Sequence, residues 1–302
     1  MLQTADPRND DLLVNIGGKL VHRDEAGVSP FDSIVQGGDG VWEGLRLYDG
    51  RIFRLLEHLD RLRGSAKAMA FAEVPTHDAI IEEIRRTLEA NGMADEVHIR
   101  LTLTRGLKVT SGMDPRLNQS GPLLIVLPEW KAPVYDKGGL TMITSSIRRF
   151  PPDCLDPKIH HNNMIQSILA KHEANVAGVD TALMLDRDGF IAEANGTNVF
   201  LVRGGAVMTT PPDACPEGIT RQTVLDLCER EGIASRIERL SQADAYRADE
   251  VFCTGTMGEL VGVVTLDGRA IGNGEVGTTT EQLASLYARE TASAGYPILE
   301  RR

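Results

Sequence analysis

The chain has 302 residues, 42% of them hydrophobic, which suits one large or two medium globular domains with a substantial core. A net charge of -11 without any basic run excludes a reader of the nucleic-acid backbone, and with no apolar stretch long enough to span a bilayer and none at the N-terminus, neither membrane insertion nor secretion is expected. The four cysteines, Cys154, Cys215, Cys228 and Cys253, make no CxxC pair and have no histidine at ligand spacing, so the expectation is reduced thiols in the cytoplasm, with no zinc site and no disulfide framework.

Residues 1–128 read as a small α/β domain. Segments 13–16 and 19–21 are short strands about the Gly17-Gly18 turn. Segments 41–48 and 51–55 flank Asp49-Gly50, whose tolerance of positive φ closes a tight hairpin. Residues 56–69 turn helical, with Leu59, Leu62, Ala66 and Met69 on one side and Arg61 free to lie off it; 78–91 is a second helix. Strands at 97–104 and 122–127 enclose a glycine-containing loop, 105–118, long enough to suggest a function. Residues 129–138 read as a linker and 139–302 as a second domain. Gly38, Gly40 and Gly44 miss the G-x-G-x-x-G spacing by one place and precede a strand, and no Walker sequence exists, which excludes a dinucleotide fold.

In the second domain, 139–145 and 181–185 read as buried strands, and Asp188-Gly189 as a turn into a strand ending on Glu193. Ile165, Ile168, Leu169 and His172 form a mostly apolar helical stripe; Lys158, just after a proline, stands at that helix's entrance among polar but uncharged neighbours. Burial disfavours the ammonium form, so such a lysine can form a Schiff base, although a surface lysine beside a turn has the same local sequence. Glu193 also reads as an exposed edge carboxylate. Gly218, Ile219 and Thr220 open a clear helix, an anion site unless the threonine caps it. Gly255 and Thr256, after a strand at 250–252, offer donors to a phosphate or form a turn. An aldehyde partner for lysine, a carboxylate for a pyridinium nitrogen and a phosphate cradle are what pyridoxal 5'-phosphate asks for.

In combination, Gly40-Val-Trp-Glu-Gly-Leu-Arg46, Glu57-His-Leu-Asp-Arg-Leu62 with Ser65-Ala-Lys67, Lys158 with Asn162, Glu193 with Asn198, Gly218-Ile-Thr-Arg221 and Thr254-Gly-Thr256 resemble the class IV (fold type IV) pyridoxal-phosphate transaminases. That family includes branched-chain aminotransferases, D-amino-acid aminotransferases, (R)-amine transaminases and aminodeoxychorismate lyases. The resemblance runs from Gly17 to about Gly272. It implies an α/β (α+β) fold with a small α/β domain and a larger pseudo-barrel domain, and a homodimer. Lys158 is then the catalytic residue, joined to the cofactor as a Schiff base and later carrying a proton between Cα and C4'. Glu193 keeps the pyridinium nitrogen protonated, and Arg61, the backbone of Ile219 and Thr220, and the segment Gly255, Thr256 and Met257 hold the phosphate.

Five positions after the lysine, where branched-chain enzymes carry tyrosine, stands Asn163, whose amide can donate to the cofactor's 3'-oxygen instead. His160 and His161 are unusual for the family and read equally as packing for the helix start. Trp42, Gly44 and Arg46, with His98 and Arg100 where the branched-chain subgroup has Tyr-Ile-Arg, are implied substrate contacts. Pro115-Arg116-Leu117-Asn118 is similar to the loop that supplies a carboxylate-binding arginine in D-amino-acid enzymes, so Arg116 is a candidate for a substrate carboxylate across the dimer interface. The implied reaction is ping-pong amino transfer between small-molecule amino acids and 2-keto acids. Branched-chain or other apolar L-amino acids come first, D-amino acids or (R)-amines second, with a lyase or a non-catalytic metabolite-binding relative behind them.

Overall fold

The computed structural model describes residues 5–133, 135 and 138–299. They form two compact units, and the chain alternates between them: among the described residues, 159–163 and 291–299 lie with 5–132, while 133, 135, 138–158 and 164–290 form the second unit.

The first unit contains β1 (Leu13–Ile16), β2 (Lys19–His22), β3 (Gly40–Tyr48), β4 (Arg51–Ile52), β5 (Val97–Thr104) and β6 (Leu123–Trp130), with helices α1 (Ser33–Gly37), α2 (Leu55–Ala68) and α3 (His77–Ala90). Asp49 and Gly50 take φ of 43° and 73°, as the hairpin reading requires. The expected strand at 51–55 is cut to two residues, because Arg54 enters the left-handed region at φ 52° and α2 starts at Leu55. Alternation along β3 and β5 sends Val41, Leu45, Leu47, Val97, Ile99, Leu101 and Leu103 to one face, where they pack with Leu55, Leu59 and Leu62 of α2 and Ile80, Ile84 and Leu88 of α3. β6 continues through Pro128 to Trp130, past the point where the sequence suggests that a linker begins.

Residues 160–162 pair with the start of β3: Trp42 N–H donates to His160 O at 3.0 Å and Asn162 N–H to Gly40 O at 2.9 Å. A last strand, numbered after those of the second unit, pairs with β4 at the other edge.

The second unit contains β7 (Leu140–Thr144), β8 (Thr181–Leu185), β9 (Ile191–Ala194), β10 (Asn198–Arg203), β11 (Ala206–Thr209), β12 (Ser235–Ile237), β13 (Glu250–Gly255), β14 (Glu259–Leu266) and β15 (Arg269–Ala270). Its helices are α4 (Pro152–Leu155), α5 (Ile165–Val176), α6 (Ile219–Arg230), α7 (Gln242–Tyr246) and α8 (Thr278–Ser293), and β16 (Tyr296–Pro297) closes the chain in the first sheet. That sheet is seven-stranded and antiparallel, in the order β16-β4-β3-β5-β6-β1-β2. The second sheet is nine-stranded, in the order β12-β11-β10-β13-β14-β7-β8-β9 with β15 beside β14, and curls into a half-barrel around Leu140, Met142, Leu183, Leu201, Val251 and Val263.

The apolar stripe expected to seat α5 faces outward: Ile165, Ile168, Leu169 and Val176 are exposed, and the face turned inward is Ser167, Ala170 and Ala174. Small side chains let the helix approach β8, where Ala170 and Ala174 meet Ala182 and Met184. A carboxylate secures the start of α8: Glu250 accepts from Thr279 N–H at 2.9 Å, Thr280 N–H at 2.8 Å and the Thr280 hydroxyl at 2.7 Å. No helix among the described residues is long and apolar enough to cross a membrane.

On the apolar face of β3, Glu43 is fully buried beneath α2. His58 Nδ1 lies 2.6 Å from its Oε2, while Arg61 donates from Nε to Oε1 at 2.8 Å and from Nη2 to Oε2 at 2.7 Å. Burial works against ionisation there, but the Arg61 guanidinium outweighs it and holds the carboxyl well below the usual range. Replacing Glu43 with alanine strands its partners and is expected to lower the unfolding free energy by about 3–5 kcal/mol, seen as a lower urea midpoint. Because the folded-state value is depressed, the stabilisation from Glu43 is complete above about pH 4.3 and disappears as pH falls toward the folded value. Comparing the acid dependence of the wild-type and Glu43→Ala midpoints measures that share.

Candidate active site

Within the second unit, Glu193 sits on β9 opposite Met184 of β8 and is 5% exposed, so it is no edge carboxylate. Its Oε1 lies 2.8 Å from Arg149 Nη2, and its Oε2 accepts no hydrogen bond from any described residue. Burial pushes the carboxyl up to about 7, and Arg149 pulls the other way. From Glu193 the chain turns at once: Ala194 N–H donates to Thr197 O at 2.8 Å, and Asn198 opens β10 across from Thr254 of β13.

Asn198 also shapes the start of α6. A Cβ at Gly218 would lie 1.8 Å from Asn198 Oδ1, so glycine is required there. Gly218 offers no side chain to cap the helix, and the Thr223 hydroxyl turns back to Ile219 O at 3.0 Å. The N–H groups of Ile219 and Thr220 thus head a helix without a side-chain cap among the described residues, and the alternative of a threonine cap falls away. Beyond Gly255, which packs against Thr197, Thr256 and Met257 form the turn between β13 and β14. Thr254 Oγ1 is buried without a partner among the described residues.

Lys158 lies in the connection between α4 and α5, well before the helix that starts at Ile165. Its Nζ is 3.6 Å from Asp156 Oδ1 and its side chain is 37% exposed. A helix entrance with uncharged neighbours is therefore corrected on both counts: the turn after Pro157 places a carboxylate beside the amine.

In the first unit, the strand register Gly44↔Arg100 and Arg46↔His98 gathers five expected substrate contacts on the sheet face away from the helices. The Arg100 guanidinium lies 3.6 Å over the Trp42 ring and donates to Asn162 Oδ1 at 3.0 Å; burial lowers its pKa to about 10. Burial, with Lys131, Arg100 and Arg46 nearby, depresses His98 to about 3 and keeps it neutral. Arg46 Nε and His98 Nδ1 are buried without partners among the described residues, which makes this face rich in donors and positive charge.

His160 and His161 do not pack a helix start. The His160 ring stacks on Trp42 at 4.3 Å, its Nδ1 is 2.6 Å from Trp42 O and 3.3 Å from Glu43 Oε1, and His161 O accepts from Trp42 Nε1 at 3.2 Å. Asn163 Nδ2 donates to Gly38 O at 3.2 Å. Arg61 is bound to Glu43 as described, and Arg116 is exposed, with Nε donating to Asp114 Oδ2 at 2.9 Å. Sequence reasoning missed Arg149, His58 and Lys131. A stripe reading of α2 reaches His58, one residue before Leu59, but nothing in the sequence separates Arg149 from its neighbour Arg148.

The second unit fits the cofactor that the resemblance implies. It holds an amine at Lys158, a carboxylate with an open oxygen at Glu193, a helix start without a side-chain cap at Ile219 and Thr220, and an orphaned hydroxyl at Thr254 before the Gly255–Met257 turn.

Comparison with known proteins agrees. The family described as Amino-transferase class IV matches residues 40–266. The chain is 54% identical over 293 residues to "Branched-chain-amino-acid aminotransferase-like protein 2" of Arabidopsis thaliana, covering 97% of itself but only 52% of that protein, so it spans about half the length of that relative. It is 42% identical to the "Putative branched-chain-amino-acid aminotransferase" of Methanocaldococcus jannaschii, covering 91% of itself and 94% of the relative. Among solved structures, a branched-chain amino acid aminotransferase from T.th. complexed with N-(5'-phosphopyridoxyl)-L-glutamate superposes with a TM-score of 0.87 at 32% identity, over 97% of this chain and 95% of that one. With its two sheets, its lysine and its buried glutamate in place, the chain belongs to the class IV aminotransferases, whose cofactor is pyridoxal 5'-phosphate.

Proposed function

We propose that the protein is a transaminase that moves an amino group between a branched-chain or other apolar L-amino acid and a 2-keto acid. The observation that carries this reading is Glu193, a buried carboxylate held near neutrality with one oxygen on Arg149 and the other open, in the same unit as Lys158. The names of the relatives support the substrate class.

Bound pyridoxal phosphate supplies an aldehyde and a ring that accepts electron density from the substrate's Cα. Lys158 Nζ would hold that aldehyde and would carry the proton between Cα and C4'. Glu193 holds a proton at the ring nitrogen. The N–H groups of Ile219 and Thr220 and the Gly255, Thr256 and Met257 turn bind phosphate oxygens, with Arg61, kept in one plane by Glu43, as a further phosphate ligand. Asn163 is assigned to the 3'-oxygen, sharing the amide that now donates to Gly38 O. Arg46, His98 and Arg100 suit a carboxylate, while Trp42 and Gly44 bound the space for a side chain.

A second reading, amino transfer from D-amino acids or (R)-amines, is favoured by Arg116 on its exposed loop. The outward stripe of Ile165, Ile168, Leu169 and Val176 on α5 is the kind of surface a partner covers, and we assign it to a homodimer. We assign the protein to the cytoplasm, a reading that its four free cysteines support.

Four outcomes test these assignments. In half-reactions of the yellow holoprotein, L-valine and L-leucine are expected to discharge the colour. Bleaching by D-alanine, D-glutamate or (R)-1-phenylethylamine alone establishes the second reading, and pyruvate release without an acceptor establishes a lyase. Borohydride is expected to fix the cofactor on Lys158, an adduct absent from Lys158→Ala. Arg116→Ala is expected to raise KM for amino and keto acids; unchanged values remove Arg116 from the site. Wild-type protein is expected to sediment as a dimer and the pair Ile168→Glu with Leu169→Glu as a monomer, whereas a monomeric wild type ends the homodimer assignment.

A further inference from the structure

We propose that Arg149 is a positioning residue for the reaction: by occupying Glu193 Oε1 it leaves Oε2 for the ring nitrogen of bound pyridoxal phosphate and keeps the shared proton on that nitrogen instead of on the carboxylate. The proposal rests on the reading of Glu193 given above, and it concerns a residue that no motif in the sequence singles out.

The geometry is that of a braced cation. Arg149 and Glu193 have side chains 12% and 7% exposed, with Nη2 2.8 Å from Oε1. Two elements around the carboxylate fix the arginine: its backbone N–H donates to Leu185 O at the end of β8 at 2.9 Å, and Nη1 donates to Ser167 Oγ on the inner face of α5 at 3.3 Å. Its Nε has no partner among the described residues, and Glu193 is the carboxylate that its guanidinium meets.

The other titratable and charged groups facing Glu193 do not replace it. The Cys215 thiol is pushed up to about 12, by burial first and by Glu193 next, and so stays neutral. Arg221, on α6, spends Nη2 on Thr210 O at 2.8 Å. Arg149 is thus the cation that ion-pairs with Glu193 among the described residues.

Coulomb attraction falls with separation, so a cation in contact with one carboxylate oxygen lowers the basicity of that carboxylate more than it lowers the basicity of a base hydrogen-bonded to the other oxygen. The proton between the two bases then moves toward the ring nitrogen. Burial alone favours the neutral acid; with Arg149 in place the carboxyl titrates at about 7, within reach of ionisation at neutral pH.

The test compares Arg149→Met, Arg149→Lys and Glu193→Gln with the wild type, first without cofactor. In apoprotein carrying 13C at glutamate Cδ, the Glu193 signal is the one absent from Glu193→Gln. Its titration midpoint is expected to rise by roughly 1–3 pH units in Arg149→Met and to return most of the way in Arg149→Lys. In protein loaded with ring-15N pyridoxal phosphate, the nitrogen signal is expected to be protonated in wild type and Arg149→Lys and unprotonated in Arg149→Met and Glu193→Gln. Turnover of Arg149→Met should fall in kcat with little change in KM. An unmoved Glu193 midpoint in Arg149→Met overturns the proposal. A protonated nitrogen in Arg149→Met beside an unprotonated one in Glu193→Gln overturns the role of Arg149 alone. A protonated nitrogen in Glu193→Gln overturns the reading of Glu193 and the proposal with it. Should Arg149→Met not fold, Ser167→Ala, which removes the brace on Nη1, reads the same signals with a smaller upward shift, and no shift overturns the proposal.

Discussion

A carboxyl group taken out of water must find compensation or give up its charge, and two glutamates in this protein meet that constraint in opposite ways. Glu43 receives a planar two-point pairing from Arg61 and a histidine at contact distance, and remains ionised in a dry interior. Glu193 receives one guanidinium contact and sits near the balance point. The first arrangement suits a structural clamp between a strand and a helix. The second suits a group that must exchange a proton with something it binds.

Around Glu43 the first unit becomes a connected assembly. The same carboxylate approaches His160, which stacks on Trp42, which in turn carries Arg100. A short stretch of chain imported from after Lys158 supplies both the imidazole for that stack and, through Asn162, the acceptor that steadies Arg100. Packing and charge are thereby coupled through a few side chains on neighbouring positions of β3 and β5.

Much of the architecture could be read beforehand wherever a local rule had no competitor. The Asp49-Gly50 hairpin, β1, β5, β8 and the helices α2 and α3 follow from turn chemistry and periodicity, with boundaries displaced by a residue or so, whereas the short α1 was not foreseen. α5 was legible as a helix, yet its orientation was not: periodicity identifies an apolar stripe without saying whether core or partner covers it, and the small residues Ala170 and Ala174 carry almost no hydropathy signal. The candidate site residues show the same division. Glu193 and Gly218 lie in motifs that the sequence singles out, whereas Arg149 is held by contacts to β8 and α5, and the pairing of 160–162 with β3 joins segments distant in sequence. The histidines beside Asn162 could not be placed without that pairing.

The route of the chain has a consequence for biosynthesis. Since Ile159–Asn163 and β16 complete a sheet begun near residue 13, the first unit is not a contiguous fragment, and its β4 edge lacks its neighbour until Tyr296 and Pro297 have been synthesised. A nascent chain therefore carries an open strand edge through the making of the whole second half-barrel, an interval in which edge-to-edge association with another chain competes with completion. With β4 only two residues long, the exposed ladder during that interval is short.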